Sequence, residues 1–170
     1  LNILGVAVAN APSGYATASA SVYNAIAQSA SATGGGNASN LVANAGDLNI
    51  DAIAIATGST YASASASNEA AISQSADATS GGNASNAVTN GAGTLDIGAV
   101  AVATALNTTS GNASANASIS SAIYQSADAT SAGDATNLIS NDGTLDIHAT
   151  AVANGATNAS ADASVSESVI

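Results

Sequence analysis

Lysine and arginine are absent from this chain, as are cysteine, methionine, phenylalanine and tryptophan. Eleven Asp and Glu residues stand against a single histidine, His148, giving a formal net charge of -11 at pH 7. A surface of that sign repels phosphate backbones and anionic lipid headgroups, so no nucleic-acid partner is expected. No amine, guanidinium or thiol is available as nucleophile, Schiff-base former or oxyanion clamp. Serine is abundant, but an activated serine needs a base, and there is one imidazole for the whole chain. The expectation is therefore a protein that is not an enzyme and carries no cofactor. No run of eighteen apolar residues occurs, which excludes insertion as a membrane helix. The lack of cysteine is compatible with an extracellular place. Neither a signal peptide nor a starting methionine opens the sequence, so it reads as a mature chain or an excerpt.

What is present is alanine, with some valine and isoleucine and four tyrosines, within 46% hydrophobic residues. Burying alanine removes little apolar area, at about 25 cal/mol per Å². A thick core needs Leu, Phe and Met, which are scarce or missing. Such a chain can still fold if its elements pack at short spacing and nearly every backbone group joins a hydrogen-bond ladder.

The sequence repeats. Leu1-Asn2-Ile3, Leu48-Asn49-Ile50, Leu95-Asp96-Ile97 and Leu145-Asp146-Ile147 recur at spacings of 47, 47 and 50 residues. Gln28, Gln74 and Gln125 each open a Gln-Ser-Ala triplet at matching places. Gly36-Asn37-Ala38-Ser39-Asn40, Gly82-Asn83-Ala84-Ser85-Asn86 and Gly133-Asp134-Ala135-Thr136-Asn137 follow in turn. The copies span 1–47, 48–94, 95–144 and, in part, 145–170, and they form one domain over 1–170. A finer period sits inside. Ile3, Ile26, Ile50, Ile72, Ile97, Ile123, Ile147 and Ile170 fall 22 to 26 residues apart.

Within each step the residues alternate as a strand does: Ile50 to Ala56, then Tyr61 to Ser67, separated by Thr57-Gly58-Ser59-Thr60. Gly and Asn at the interruptions supply the positive φ that tight arcs need. Pro12 and the extra residues around Asn107 to Gly111 both fall in arcs, where a ladder loses nothing. Helix is the rival reading, since alanine is the best helix former. The period-two alternation and the many Ser, Thr and Asn residues oppose it.

The expected fold is an all-β β-solenoid of about seven two-stranded coils of 22 to 26 residues each, a rod about 34 Å long at ~4.8 Å per rung. The eight recurrent isoleucines define the coils, and rows such as Ala52, Ala54 and Ala56 point inward. Coils would then alternate Gln with Ala or Gly, leaving Gln28, Gln74 and Gln125 two coils apart. A coil of the full 47 residues would stack them directly, but alanine would fill its wider interior poorly. With alanine inside, Val6, Val8, Ile53, Ile55, Val100, Val102 and Val152 form an apolar stripe along the rod. Stripes of that kind mark association sites. The alternative is that this stripe is the core and the alanine row faces outward.

His148 aligns with Leu4, Asp51 and Gly98 in other copies and reads as a solvated surface residue. Asp47, Asp96, Asp142 and Asp146 lie near the bends that precede the Leu-Asn/Asp-Ile segments. Oxygen ligands suit calcium, so weak calcium binding is allowed, although solvated acids are the favoured reading. Asn-x-Ser/Thr sequons begin at Asn37, Asn83, Asn107, Asn112, Asn116 and Asn158, as this composition would produce by chance.

Through Ile-x-Gln-Ser-Ala, Gly-Gly-Asn-Ala-Ser-Asn and Gly-Thr-Leu-Asp-Ile, the chain resembles the Ala/Ser/Asn-rich repeat regions of large Gram-negative surface proteins, autotransporter-like adhesins among them. More loosely it is similar to curlin repeats, with Gln at a fixed place in alternate coils. The resemblance implies a bacterial extracellular or cell-surface solenoid. The expected function is a structural subunit or segment of an extracellular or cell-surface filament, such as a biofilm matrix fibre. It would self-associate through the solenoid ends and the apolar stripe, its partners being copies of itself or flanking repeats. The alternatives are the rigid stalk of a surface adhesin and an ice-binding solenoid.

Overall fold

Alternation of small apolar and small polar residues gives each segment one face to bury and one to hydrate, which is the condition for a strand. A computed structural model describes residues 1–169 and contains fourteen strands. The first turn of the chain comprises β1 (Asn2–Ala11), β2 (Tyr15–Tyr23), β3 (Ile26–Ala32) and β4 (Ala38–Asn44). The second comprises β5 (Leu48–Gly58), β6 (Tyr61–Glu69), β7 (Ile72–Ala78) and β8 (Ala84–Asn90). The third comprises β9 (Thr94–Ala105), β10 (Asn112–Ser120), β11 (Ile123–Ala129) and β12 (Ala135–Asn141). A half turn of β13 (Thr144–Asn154) and β14 (Asn158–Ser166) follows. No helix lies among the described residues.

All pairing is parallel and runs from one turn to the next. Sheet A stacks β1-β5-β9-β13, sheet B β2-β6-β10-β14, sheet C β3-β7-β11 and sheet D β4-β8-β12. The fold is a β-solenoid, all-β as expected, but its coil differs from the expected one. Ile3 pairs with Ile50 and Ile50 with Ile97, whereas Ile26 pairs with Ile72 and Ile72 with Ile123. The isoleucines thus form two ladders in two sheets. The eighth, Ile170, lies outside the described residues. One coil takes the full 47-residue repeat and four strands. Three and a half coils rise about 17 Å at ~4.8 Å per rung, half the expected length.

The objection to a 47-residue coil was its wide interior, and the path of the chain removes it. Sheet A faces sheet B and sheet C faces sheet D, so the coil has two narrow lobes instead of an open lumen. In the A/B lobe Ala52, Ala54 and Ala56 are fully buried against Ala62, Ala64 and Ala66. The inward assignment of the alanine rows is therefore correct, and the alternative with the stripe as core is not. The C/D lobe has its own alanine core around Ala38, Ala76, Ala78 and Ala84. Ile50, Ile72, Leu95, Ile97 and Ile123, the larger side chains, belong to the A/B core and its junction with the second lobe.

Between the two alanine cores run amide ladders. Gln74 Nε2 donates to Gln28 Oε1 at 2.7 Å, and Gln125 Nε2 donates to Gln74 Oε1 at 2.8 Å. Gln74 also crosses the lobe to donate to the Ala87 carbonyl at 3.0 Å. From the opposite wall Asn40 donates to Asn86 at 2.9 Å and Asn86 to Asn137 at 3.0 Å. Asn86 in turn donates across to the Ser126 carbonyl at 2.7 Å. A further ladder, Asn44 to Asn90 to Asn141, has 2.7 Å at both steps and ties sheet D to the start of sheet A. Each amide has two donors and an acceptor, so one side chain serves both the next rung and the facing wall. The glutamines stack directly, which corrects the expectation that they are too far apart.

Two of the corners are made by left-handed residues, one or two per rung, stacked on one another. Asn24, Ala70, Ser121 and Glu167, with φ of 48 to 51°, turn sheet B into sheet C. Gly34 and Gly35, Ser80 and Gly81, then Ser131 and Ala132 do the same for the arc from sheet C to sheet D. The insertion of the third copy lies in the arc between β9 and β10, where the expected extra residues fall.

Candidate functional site

The outer face of sheet A is built by the register of β1, β5, β9 and β13. Because the alanines of these strands point inward, the residues between them point out. Val6, Ile53, Val100 and Thr150 form one column, and Val8, Ile55, Val102 and Val152 the next. All seven residues of the expected stripe therefore lie side by side on one face. Val6 is 58% exposed and Val8 68%, while Ile53, Val100 and Val102 are half-buried by their rung neighbours. Thr150 is the one polar break. A column of Asn10, Thr57, Thr104 and Asn154 bounds the stripe on one side.

On the other side stands a column that changes at every rung: Leu4, Asp51, Gly98, His148. Beyond it run Asn2, Asn49, Asp96 and Asp146. Where the two columns meet, the structure departs from the reading of His148 as a solvated residue. Its Nδ1 lies 3.2 Å from Asp96 Oδ1 and 3.9 Å from Asp146 Oδ1. Gly98 makes room for this. A Cβ there would come within 3.1 Å of His148 Nε2 and would clash with Asp51 Oδ1, so the ring and the Asp51 carboxylate converge above the glycine. Burial pushes the Asp51 carboxyl above its usual range; the Asp96 charge adds to this, and His148 and the Gly98 backbone oppose it. Asp47 and Asp142 stay apart from this group; Asp47 Oδ1 accepts from the Thr94 amide at 3.2 Å.

This cluster was half legible beforehand. The recurrence of Leu-Asn/Asp-Ile already aligned Asp96 with Asp146, but the side chains of Asp51, Gly98 and His148 had to be set on one face to show that they meet. The outward face of sheet B carries columns of hydroxyls, Thr17-Ser63-Ser114-Ser160 and Ser21-Ser67-Ser118-Ser164. The column between them mixes Ser19, Ser65, Asn116 and Asp162, so the hydroxyl array is interrupted. Tyr15 and Tyr61 pack at its edge with tilted rings, centroids 5.9 Å apart.

No family model matches the chain, and no curated protein or solved structure matches it either. Function rests on the geometry.

Proposed function

We propose that this solenoid is a structural segment of an extracellular or cell-surface filament, joined laterally through the outer face of sheet A. The observation that carries the reading is the pair of uncharged β-branched columns, Val6-Ile53-Val100 and Val8-Ile55-Val102-Val152, on a face whose own strands need none of them for the core. On a chain with net charge -11, these two columns are a strip free of carboxylates, with Asp51, Asp96 and Asp146 confined to the columns on one side of it. The stripe covers roughly 14 by 17 Å per copy, on the order of 240 Å² from strand geometry. A stable interface needs about 800 Å² from each partner. Association of a single 170-residue segment is therefore weak, and it strengthens as rungs are added, which is what a filament of many repeats exploits. The same geometry supports the alternative, a rigid stalk, in which flanking repeats of one chain supply the length.

The test compares this chain with a tandem duplication of it by sedimentation and electron microscopy. The duplication is expected to associate at far lower concentration than the single chain. The double substitution Ile55→Asp with Val102→Asp is expected to abolish that association while leaving the β-sheet circular dichroism signal intact. Equal behaviour of single and duplicated chains, or undiminished association of the double variant, would overturn the lateral-face reading.

A further inference from the structure

Three acceptor atoms face one another on the outer surface of sheet A. Asp96 Oδ1 and His148 Nδ1, 3.2 Å apart, are both shielded from solvent, and neither completes a hydrogen bond among the described residues. Asp146 completes the group: one ligand atom from each of Asp96, Asp146 and His148 lies within 4.8 Å of the other two. With a neutral imidazole whose Nδ1 bears a lone pair, such a group is mutually repulsive. It needs either a proton on Nδ1 or a cation in its midst. The protein has no lysine or arginine to offer.

A proton on Nδ1 would be within reach of Asp96 Oδ1, but the two atoms are not aligned for a hydrogen bond, and the separations fit a cation. Ligands on a tetrahedral ion with bonds of about 2.0–2.1 Å sit roughly 3.3 Å apart, and the Nδ1 to carboxylate distances here are 3.2 and 3.9 Å. One imidazole nitrogen with carboxylate oxygens is a donor set for a borderline transition ion more than for calcium, which takes six to eight oxygens. We infer that Asp96, Asp146 and His148 form a surface site for one divalent transition ion of the Zn2+ type, with its remaining positions open to solvent.

Side-chain exposures of 27% for Asp96, 38% for His148 and 59% for Asp146 leave those open positions accessible. Asp51, converging on the same glycine gap, adds negative charge beside the ion without being needed as a ligand. The other rungs cannot repeat the site. The equivalent places hold Asn2 and Leu4 in the first, and Asn49 and Asp51 in the second. One ion per chain is thus the expected stoichiometry, and it sits at the border of the apolar stripe.

Because His148 is the only histidine, its ring resonances report on the site without ambiguity. Titration of the intact chain with Zn2+ alone at pH 7.5 is expected to shift those resonances and to saturate at one equivalent by calorimetry. His148→Leu installs the residue found at Leu4, and Asp146→Asn the residue found at Asn2 and Asn49, so both variants keep the fold of neighbouring rungs. Each is expected to weaken Zn2+ binding at least tenfold, with an unchanged circular dichroism spectrum. Unmoved His148 resonances at millimolar Zn2+, or Zn2+ affinity undiminished in His148→Leu, would overturn the assignment. So would Ca2+ binding as tightly as Zn2+ without involving the ring.

Discussion

Ala132 holds a φ of 72° in the arc between β11 and β12, beside Ser131 at 63°. The first copy places Gly34 and Gly35 there, and the second Ser80 and Gly81. The left-handed region costs a residue with a Cβ about 1–2 kcal/mol, so the third copy pays at a place where the first does not. Ala132→Gly is expected to stabilise the chain by about 1 kcal/mol, offset in part by the greater entropy of the unfolded glycine. Gly81→Ala is expected to cost about the same or more, since its new Cβ would come 3.3 Å from the Ser131 carbonyl. Denaturant midpoints of the two variants, moving in opposite directions, check the claim. Asn68 stands at a related exception: it is buried between positions where the neighbouring rungs have Val22 and Ile119, and its Oδ1 has no partner among the described residues. Its Nδ2 donates to the Ile50 carbonyl at 2.8 Å, which holds sheet B to sheet A at the corner.

At the scale of elements, strands were readable and their partners were not. Ile50 to Ala56 announces a strand with alanine on one side through alternation alone, and β5 has that burial pattern. Alternation carries no information about which strand lies above, because Ile26 and Ile50 look alike in sequence while occupying sheets C and A. The signal that decides was the polar one. Glutamine occurs at Gln28, Gln74 and Gln125 and at no intermediate step, as a buried amide requires when its hydrogen bonds must be met by an identical neighbour one rung away. Gln74 is fully buried at the centre of that ladder. Gln74→Ala strips partners from both Gln28 and Gln125 and is expected to destabilise by about 2–4 kcal/mol. Gln28→Ala, at the half-buried end of the ladder, is expected to cost about 1 kcal/mol. Equal losses in thermal or chemical unfolding would show that the ladder does not act as a connected unit.

At the scale of the molecule, the apolar stripe was legible because it needs only strand parity, and parity survives an error in coil length. The acidic-histidine group was legible only in part, because it depends on which rungs touch: the repeat aligns Asp96 with Asp146, but they are adjacent only when the coil is a full repeat. The two lobes explain how such a long coil is filled by small side chains, each pair of sheets burying alanine on alanine while amides bridge the junction. Exposed face, buried seam and ion site all follow from that one stacking register.

The cysteine-free background allows the register to be tested directly. Ser63 and Ser114 are outward-facing partners on β6 and β10, and adjacent parallel strands bring Cα atoms about 4.8 Å apart, within disulfide range. Ser63→Cys with Ser114→Cys is expected to form an intramolecular disulfide rapidly under mild oxidation, while Ser63→Cys with Ser85→Cys, the pair that a coil of about 22 residues would stack, is expected to remain reduced. Rapid crosslinking of the second pair and none of the first would contradict the four-stranded coil.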